Sequence, residues 1–218
     1  MHRLRPQGPW FAVLFLTTLL VGCGEEESIE NNDPGINDLN VVAAFGDSIT
    51  QGNRCACAPY PSRTGILIEK VVLNAGIHGT MAGDHIGRTQ TIIDQNHPAF
   101  MLILYGVNDV IHGRGVAGIN SALDQMVLIC KQNQVVPVLA TYPVPIAGHR
   151  AFAGGTLALN ENIRGLAQVH GIKCVDLEQE FAVDGDFPVA DPLLMEPDGL
   201  HPNDAGTQLM ALAFADLF

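Results

Sequence analysis

Two short stretches far apart in the chain carry the residue types of a nucleophile and its base. Gly46-Asp47-Ser48-Ile49-Thr50-Gln51-Gly52 follows directly on the apolar run Val41-Val42-Ala43-Ala44-Phe45. Ser48 therefore falls on a tight turn after a buried strand, a place where a side chain is exposed and rigidly held. Near the C-terminus, Asp198-Gly199-Leu200-His201-Pro202 sets an Asp three residues before a His. That spacing lets the carboxylate accept the imidazole Nδ1–H and orient the ring. A hydroxyl, an imidazole and a carboxylate together suggest acyl transfer.

These groups act only if the fold brings them together. From residue 41 onward, short apolar runs alternate with longer amphipathic segments. Strands are expected at Val41–Phe45, Val71–Asn74, Phe100–Tyr105, Val135–Thr141 and Ile172–Asp176. They are continuous apolar runs, as in a parallel sheet covered on both faces. Helices are expected over Pro61–Lys70, Gly83–Asn96, Val116–Asn133, Thr156–His170 and Asp204–Leu217. The third of these sets Ile119, Ala122, Leu123, Met126, Ile129 and Cys130 on one face, which is core. Thr156 and Asp204 are the candidate N-caps of the last two. Five βα units fold as a three-layer α/β/α sandwich with a five-stranded parallel sheet, and such sheets bind ligands beyond the carboxyl ends of their strands.

Polar or glycine-bearing turns stand at those ends. Ser48 follows the first strand, Asn74-Ala75-Gly76-Ile77-His78-Gly79 the second, Gly106-Val107-Asn108-Asp109 the third, and Asp198 to His201 precedes the last helix. With these blocks in this order the chain from Val41 onward resembles the SGNH hydrolase superfamily, the GDSL esterases and lipases. A lone Gly-Asp-Ser would be weak; four blocks in order on the right elements are specific. The resemblance implies a flavodoxin-like sandwich and a serine esterase with Ser48, His201 and Asp198 as triad. It implies an oxyanion hole made of the Ser48 and Gly79 backbone N–H groups and the Asn108 side-chain amide. It calls for no cofactor and no metal.

Each residue also has a structural reading. Ser48 can cap a helix, Gly79 can serve a positive φ, Asn108 can satisfy its own turn, and His201-Pro202 can be a surface turn. Gly76 competes with Gly79 for the oxyanion role. Asp47 and Asp109 are read as loop braces that accept backbone N–H bonds. His78, with Arg54 and Tyr60, is a candidate to line the substrate pocket, while His85 and His112 lie near the same loops.

Composition bounds the partners. The chain has 218 residues and a net charge of −12, with no Lys/Arg cluster beyond its N-terminus, which argues against nucleic acid. Arg3 and Arg5 precede the apolar stretch Phe11–Val21, and Leu20-Val21-Gly22-Cys23 resembles the lipobox of bacterial lipoproteins. The expected organisation is a signal peptide over 1–22 and an acidic tether over 23–40, lipidated at Cys23, followed by a hydrolase domain over 41–218. Such a chain is exported and anchored in a membrane. Of the other cysteines, Cys55 and Cys57 allow only a tight bridge, and Cys130 and Cys174 read as free buried thiols. A zinc site at Cys55-Ala56-Cys57 has no second ligand pair.

The 178 residues from Val41 to Phe218 leave little chain for a lid, which favours an open site and short acyl or acetyl esters. Asp184, Asp186, Asp191 and Glu196, ahead of the triad pair, disfavour anionic substrates if they border the pocket. The alternatives are a lysophospholipase or thioesterase acting on longer chains and a non-catalytic flavodoxin-like ligand-binding module. The latter leaves Asp198 and His201 without a purpose.

Overall fold

The computed structural model describes residues 33–183 and 189–218. Cys23 with the segment before it, and Asp184 with Asp186, lie outside those residues. Five parallel strands, β1 Asp38–Gly46, β2 Val71–Gly76, β3 Pro98–Leu104, β4 Val136–Ala140 and β5 Cys174–Val175, form one sheet in the order β2-β1-β3-β4-β5. The helices are α1 Ser48–Gln51, α2 Tyr60–Ile68, α3 Ile86–Asn96, α4 Val107–Ile111, α5 Val116–Gln132, α6 Ala153–His170, α7 Leu177–Glu180 and α8 Asp204–Ala215.

The centre of the sheet is its most apolar part. Val42, Ala43, Ala44 and Phe45 of β1 and Met101, Leu102 and Leu104 of β3 are wholly buried. Burying a side chain the size of Phe45 or Leu102 contributes about 1.5–3 kcal/mol. Phe45 pairs in register with Ala75 on one side and Ile103 on the other. The chain leaves β1 towards β2 and later returns to β3 on its opposite side. The order in which strands are added therefore reverses between β1 and β3, and sheets of this kind bind ligands at the carboxyl ends of the strands at such a point.

Several local expectations differ from the structure. α6 starts at Ala153 rather than Thr156, whose hydroxyl bonds the Phe152 carbonyl from inside the helix. Asn203 caps α8 by accepting the Gly206 N–H, which makes Asp204 its first residue. The segment after Gly83 is not one helix: a single 3-10 turn, Ala82–Asp84, precedes α3. β5 is only two residues long and pairs with Leu139 and Ala140 of β4. Cys55 and Cys57 are bonded to each other, Cys130 is a buried free thiol and Cys174 a half-buried one.

Candidate active site

The Gly46-Asp47-Ser48 turn is built by close approach. A Cβ on Gly46 would stand 2.2 Å from Thr50 Oγ1 and 2.7 Å from the Leu104 carbonyl oxygen. One on Gly76, its partner in β2, would stand 2.3 Å from the Gln51 nitrogen. Glycine at both places lets α1 drop against the sheet end. Asp47 caps that helix, accepting the Ile49 N–H at Oδ1 over 2.9 Å, and Gly52 closes it in the left-handed region. Ser48 is the first residue of α1, so its N–H has no carbonyl one turn back to bond.

Ser48, His201 and Asp198 meet. Ser48 Oγ lies 2.9 Å from His201 Nε2, across 153 positions of sequence. His201 Nδ1 lies 2.7 Å from Asp198 Oδ2. The other carboxylate oxygen, Oδ1, accepts the backbone N–H groups of Leu200 (2.9 Å) and His201 (3.1 Å). Burial alone would raise the Asp198 pKa. The two amides and the imidazole outweigh it and hold the carboxyl below its ordinary range. The carboxylate form is therefore the one that faces Nδ1, so Nδ1 carries the proton and Nε2 is free to accept from Ser48.

Gly79 and Asn108 lie in the two neighbouring turns. Gly79 has φ +72°, is exposed, and has open space where a Cβ would be. Gly76, by contrast, is spent on packing under Gln51. Asn108 donates one side-chain hydrogen to the Thr80 carbonyl over 3.0 Å, which fixes the amide and leaves its second hydrogen available. Asp109, on the same short helix, accepts the Ala82 N–H over 2.9 Å. It thus braces the stretch after Gly79, where a brace of its own loop was expected. Its pKa is raised, by burial above all.

Two expectations about exposure are corrected. Ser48 is 3% exposed, His201 5% and Asn108 7%, so the serine is held under its neighbours rather than displayed. Tyr60 does not line a pocket: it is wholly buried, stacks on Phe214 and bonds Thr50 Oγ1. His78 is exposed, with Nδ1 2.8 Å from Asn53 Nδ2, and Arg54, the residue after Asn53, is exposed at positive φ. His112 Nδ1 bonds the main-chain oxygen of Asn108 over 2.7 Å and closes α4, and His85 faces the Tyr105 ring.

Other contacts at the site had no signal in the sequence. His149 Nδ1 lies 2.7 Å from the Asp198 carbonyl oxygen, and the Ile146 N–H donates to the Gly199 carbonyl over 2.8 Å. The loop after β4 is thereby joined to the triad turn. A cavity of about 470 Å³, bounded by Val144, Ile146, Ala153, Leu157, Val189 and Pro192, lies along this loop. Among the described residues that line it, the charged one is Arg150.

Comparison with known proteins bears on the family and on the fold. A sequence model of the GDSL-like lipase/acylhydrolase family matches residues 44–209. No curated protein matches the chain. Among solved structures, a protein assigned to the lipolytic G-D-S-L family of Desulfitobacterium hafniense superposes with a TM-score of 0.71 at 21% identity, over 82% of this chain and 99% of its own. The lipase/acylhydrolase of Enterococcus faecalis gives 0.69 at 21% identity, over 82% and 95%. A catalytic mutant of an acetylxylan esterase from Geobacillus stearothermophilus gives 0.68 at 21%, over 83% and 94%. At such identities the likeness bears on the fold, which all three share. Family membership also removes the non-catalytic binding module from consideration. The chain belongs to the GDSL-like lipase/acylhydrolase family and is a hydrolase that acts on ester bonds.

Proposed function

We propose that the protein is a serine esterase that cleaves short-chain acyl esters, acetyl esters included. The observation that carries this reading is the unbroken hydrogen-bonded line Ser48–His201–Asp198 at the switch point of the sheet. Ser48 Oγ attacks the ester carbonyl carbon as His201 Nε2 takes its proton. The carbonyl π pair moves onto oxygen, where the Ser48 N–H, the Gly79 N–H and the free hydrogen of the Asn108 amide stabilise it. Collapse breaks the bond to the alcohol, which leaves with the proton from Nε2. Water then repeats the sequence on the acyl-Ser48 ester and releases the acid. Asp198 stabilises the imidazolium in both halves.

The short-chain preference rests on the burial of Ser48, where an open site was expected, and on the small amount of chain outside the sandwich. Two of the similar structures are acetyl xylan esterases, which is consistent with an acetyl group carried by a sugar. The apolar cavity beside the loop after β4 favours a second reading, a lysophospholipase or thioesterase acting on longer acyl chains, since about 470 Å³ is within the usual range of ligand pockets. Hydrolysis of p-nitrophenyl esters of graded chain length separates the two. Acetate and butyrate are expected to be the best substrates, and a rise in kcat/KM towards octanoate would favour the second. Ser48→Ala is expected to lose at least about a thousandfold in kcat, and retained turnover would overturn the nucleophile.

We further propose export as a lipoprotein, with residues 1–22 as signal, Cys23 lipidated and 23–40 as tether to a membrane. The Arg-flanked apolar stretch ending in Leu20-Val21-Gly22-Cys23 supports this, and the Cys55–Cys57 bridge suits an oxidising compartment. Cys23→Ala is expected to move the protein out of the membrane fraction; its retention there would overturn the anchor.

A further inference from the structure

Asp47, next to the nucleophile, is a buried acid whose two oxygens do different work. Oδ1 caps α1 through Ile49. Oδ2 accepts the hydroxyl of Tyr142 over 2.8 Å, a contact between residues 95 positions apart. Both side chains are wholly buried. If this site needed only packing, a phenylalanine would fill it without a hydroxyl to satisfy. One hydroxyl thus ties the turn that carries Ser48 to the segment just after β4.

Tyr142 is itself held on its far side. Its N–H donates to Asn160 Oδ1 over 2.9 Å, and its carbonyl accepts Asn160 Nδ2 over 2.8 Å. Asn160 Nδ2 also reaches Glu178 Oε2, at 2.6 Å, and Glu178 pairs with Arg164, which pairs in turn with Asp176. Asn160 and Glu178 are buried. A continuous polar line therefore runs from the edge of α6 to the residue before the nucleophile. Burial nonetheless pushes Asp47 up to about 6, against the pull of the Ile49 and Tyr142 bonds.

We propose that Tyr142 is a positioning residue for ester cleavage, whose hydroxyl, through Asp47 Oδ2, holds the Ser48 turn against the segment after β4 that Asn160 of α6 anchors. This rests on the reading of Ser48 as nucleophile. Removing the hydroxyl leaves Oδ2 buried without a partner, so Asp47 takes up a proton at higher pH and its hold on the turn relaxes. The ionisable groups acting on Asp47 are Tyr142, Asp109 on α4, Tyr60 on α2 and Tyr105 after β3. Burial pushes all three phenols above the ordinary tyrosine value, so they stay neutral near pH 7. Asp109 is common to every variant below, and its titration cancels in their comparison.

The test is a double-mutant cycle of Tyr142→Phe and Asp47→Asn, with p-nitrophenyl acetate hydrolysis followed from pH 5 to 9 and thermal unfolding measured alongside. Tyr142→Phe is expected to lower kcat about tenfold with KM nearly unchanged, and to move the low-pH fall of kcat to higher pH. In the Asp47→Asn background the same substitution is expected to cost less than twofold and to shift no pH profile. An equal loss in both backgrounds, or a lower Tm with unaltered kcat, overturns the proposal. Should Tyr142→Phe fail to fold, Asp47→Asn alone decides: the low-pH fall is expected to move to lower pH than in the wild type, and an unaltered profile overturns it. Ser48→Ala, run in parallel, tests the nucleophile separately, because its retained turnover would strike that reading and not the cycle.

Discussion

Asp198 holds His201 at two points. One oxygen accepts the ring Nδ1–H at 2.7 Å and the other accepts the backbone N–H of the same residue at 3.1 Å. The three-residue spacing makes this possible, since a turn closed by Gly199 at φ +72° returns the chain to its own carboxylate. A Cβ at Gly199 would stand 2.1 Å from the Ile146 carbonyl oxygen, so the turn needs glycine for space as well as for conformation. The imidazole is fixed relative to the main chain before any substrate arrives.

Asp198→Asn should therefore cost catalysis more than stability. An amide at this position favours the wrong imidazole tautomer, and kcat is expected to fall by about 10³–10⁴ with KM little changed. In the wild type the depressed pKa of Asp198 gives a stabilisation present above the ordinary value of 3.8 and lost as pH falls through the lower folded value. Acid unfolding below pH 3.8 should be correspondingly less steep in the variant. Steady-state kinetics and a pH series of thermal melts check both parts.

Asn108 tests the oxyanion assignment. Asn108→Ala removes one donor and is expected to lower kcat about 10²–10³-fold, with near-wild-type unfolding because the Thr80 carbonyl has solvent within reach of its half-buried residue. Gly79→Ala has room for its methyl group but must adopt φ +72°, at a cost of about 1–2 kcal/mol. Its activity should fall less than that of Asn108→Ala. The reverse order in kcat would remove Asn108 from the hole.

The turn under Ser48 depends on two missing side chains. Gly46→Ala would drive a methyl against Thr50 and the Leu104 carbonyl, and Gly76→Ala against the Gln51 backbone. Each is expected to destabilise the domain by about 1–3 kcal/mol, read as a lower denaturation midpoint. Each should also lower kcat, because the helix that must move carries the nucleophile.

Asp47 is a place where the fold gives up stability. Its pKa rises from 3.8 unfolded to about 6 folded, so the folded state binds the proton more tightly. Stability is then lost as pH rises between those two values, by at most about 3 kcal/mol. Asp47→Asn removes that dependence. Thermal melts should show the variant gaining on the wild type as pH goes from 4.5 to about 7, even where its activity falls.

Much of this was legible in the chain. The five apolar runs named the five strands, because a strand buried on both faces must be apolar along its length. The loops after them were found by their glycines and polar residues, and the catalytic candidates Ser48, Gly79, Asn108, Asp198 and His201 all lie at that end of the sheet. The short helices α1, α4 and α7 were not legible, since four or five residues carry no period. Cap positions at Phe152 and Asn203 were missed by one to four residues, since a side chain able to cap says little about which amide it faces.

The sequence by itself determined local identity: which residues can attack, accept a proton or donate to an oxyanion, and on which side of the sheet they stand. The Asp198–His201 pair also belongs to it, being three residues long. Tertiary structure alone decided what lies across the sheet from what. Tyr142 beside Asp47, His149 beside Asp198 and the burial of Ser48 under its partners depend on how β4 and the last loop sit next to β1. No residue spacing encodes such a contact, because it is set by packing between segments that the chain brings together only once the core has formed.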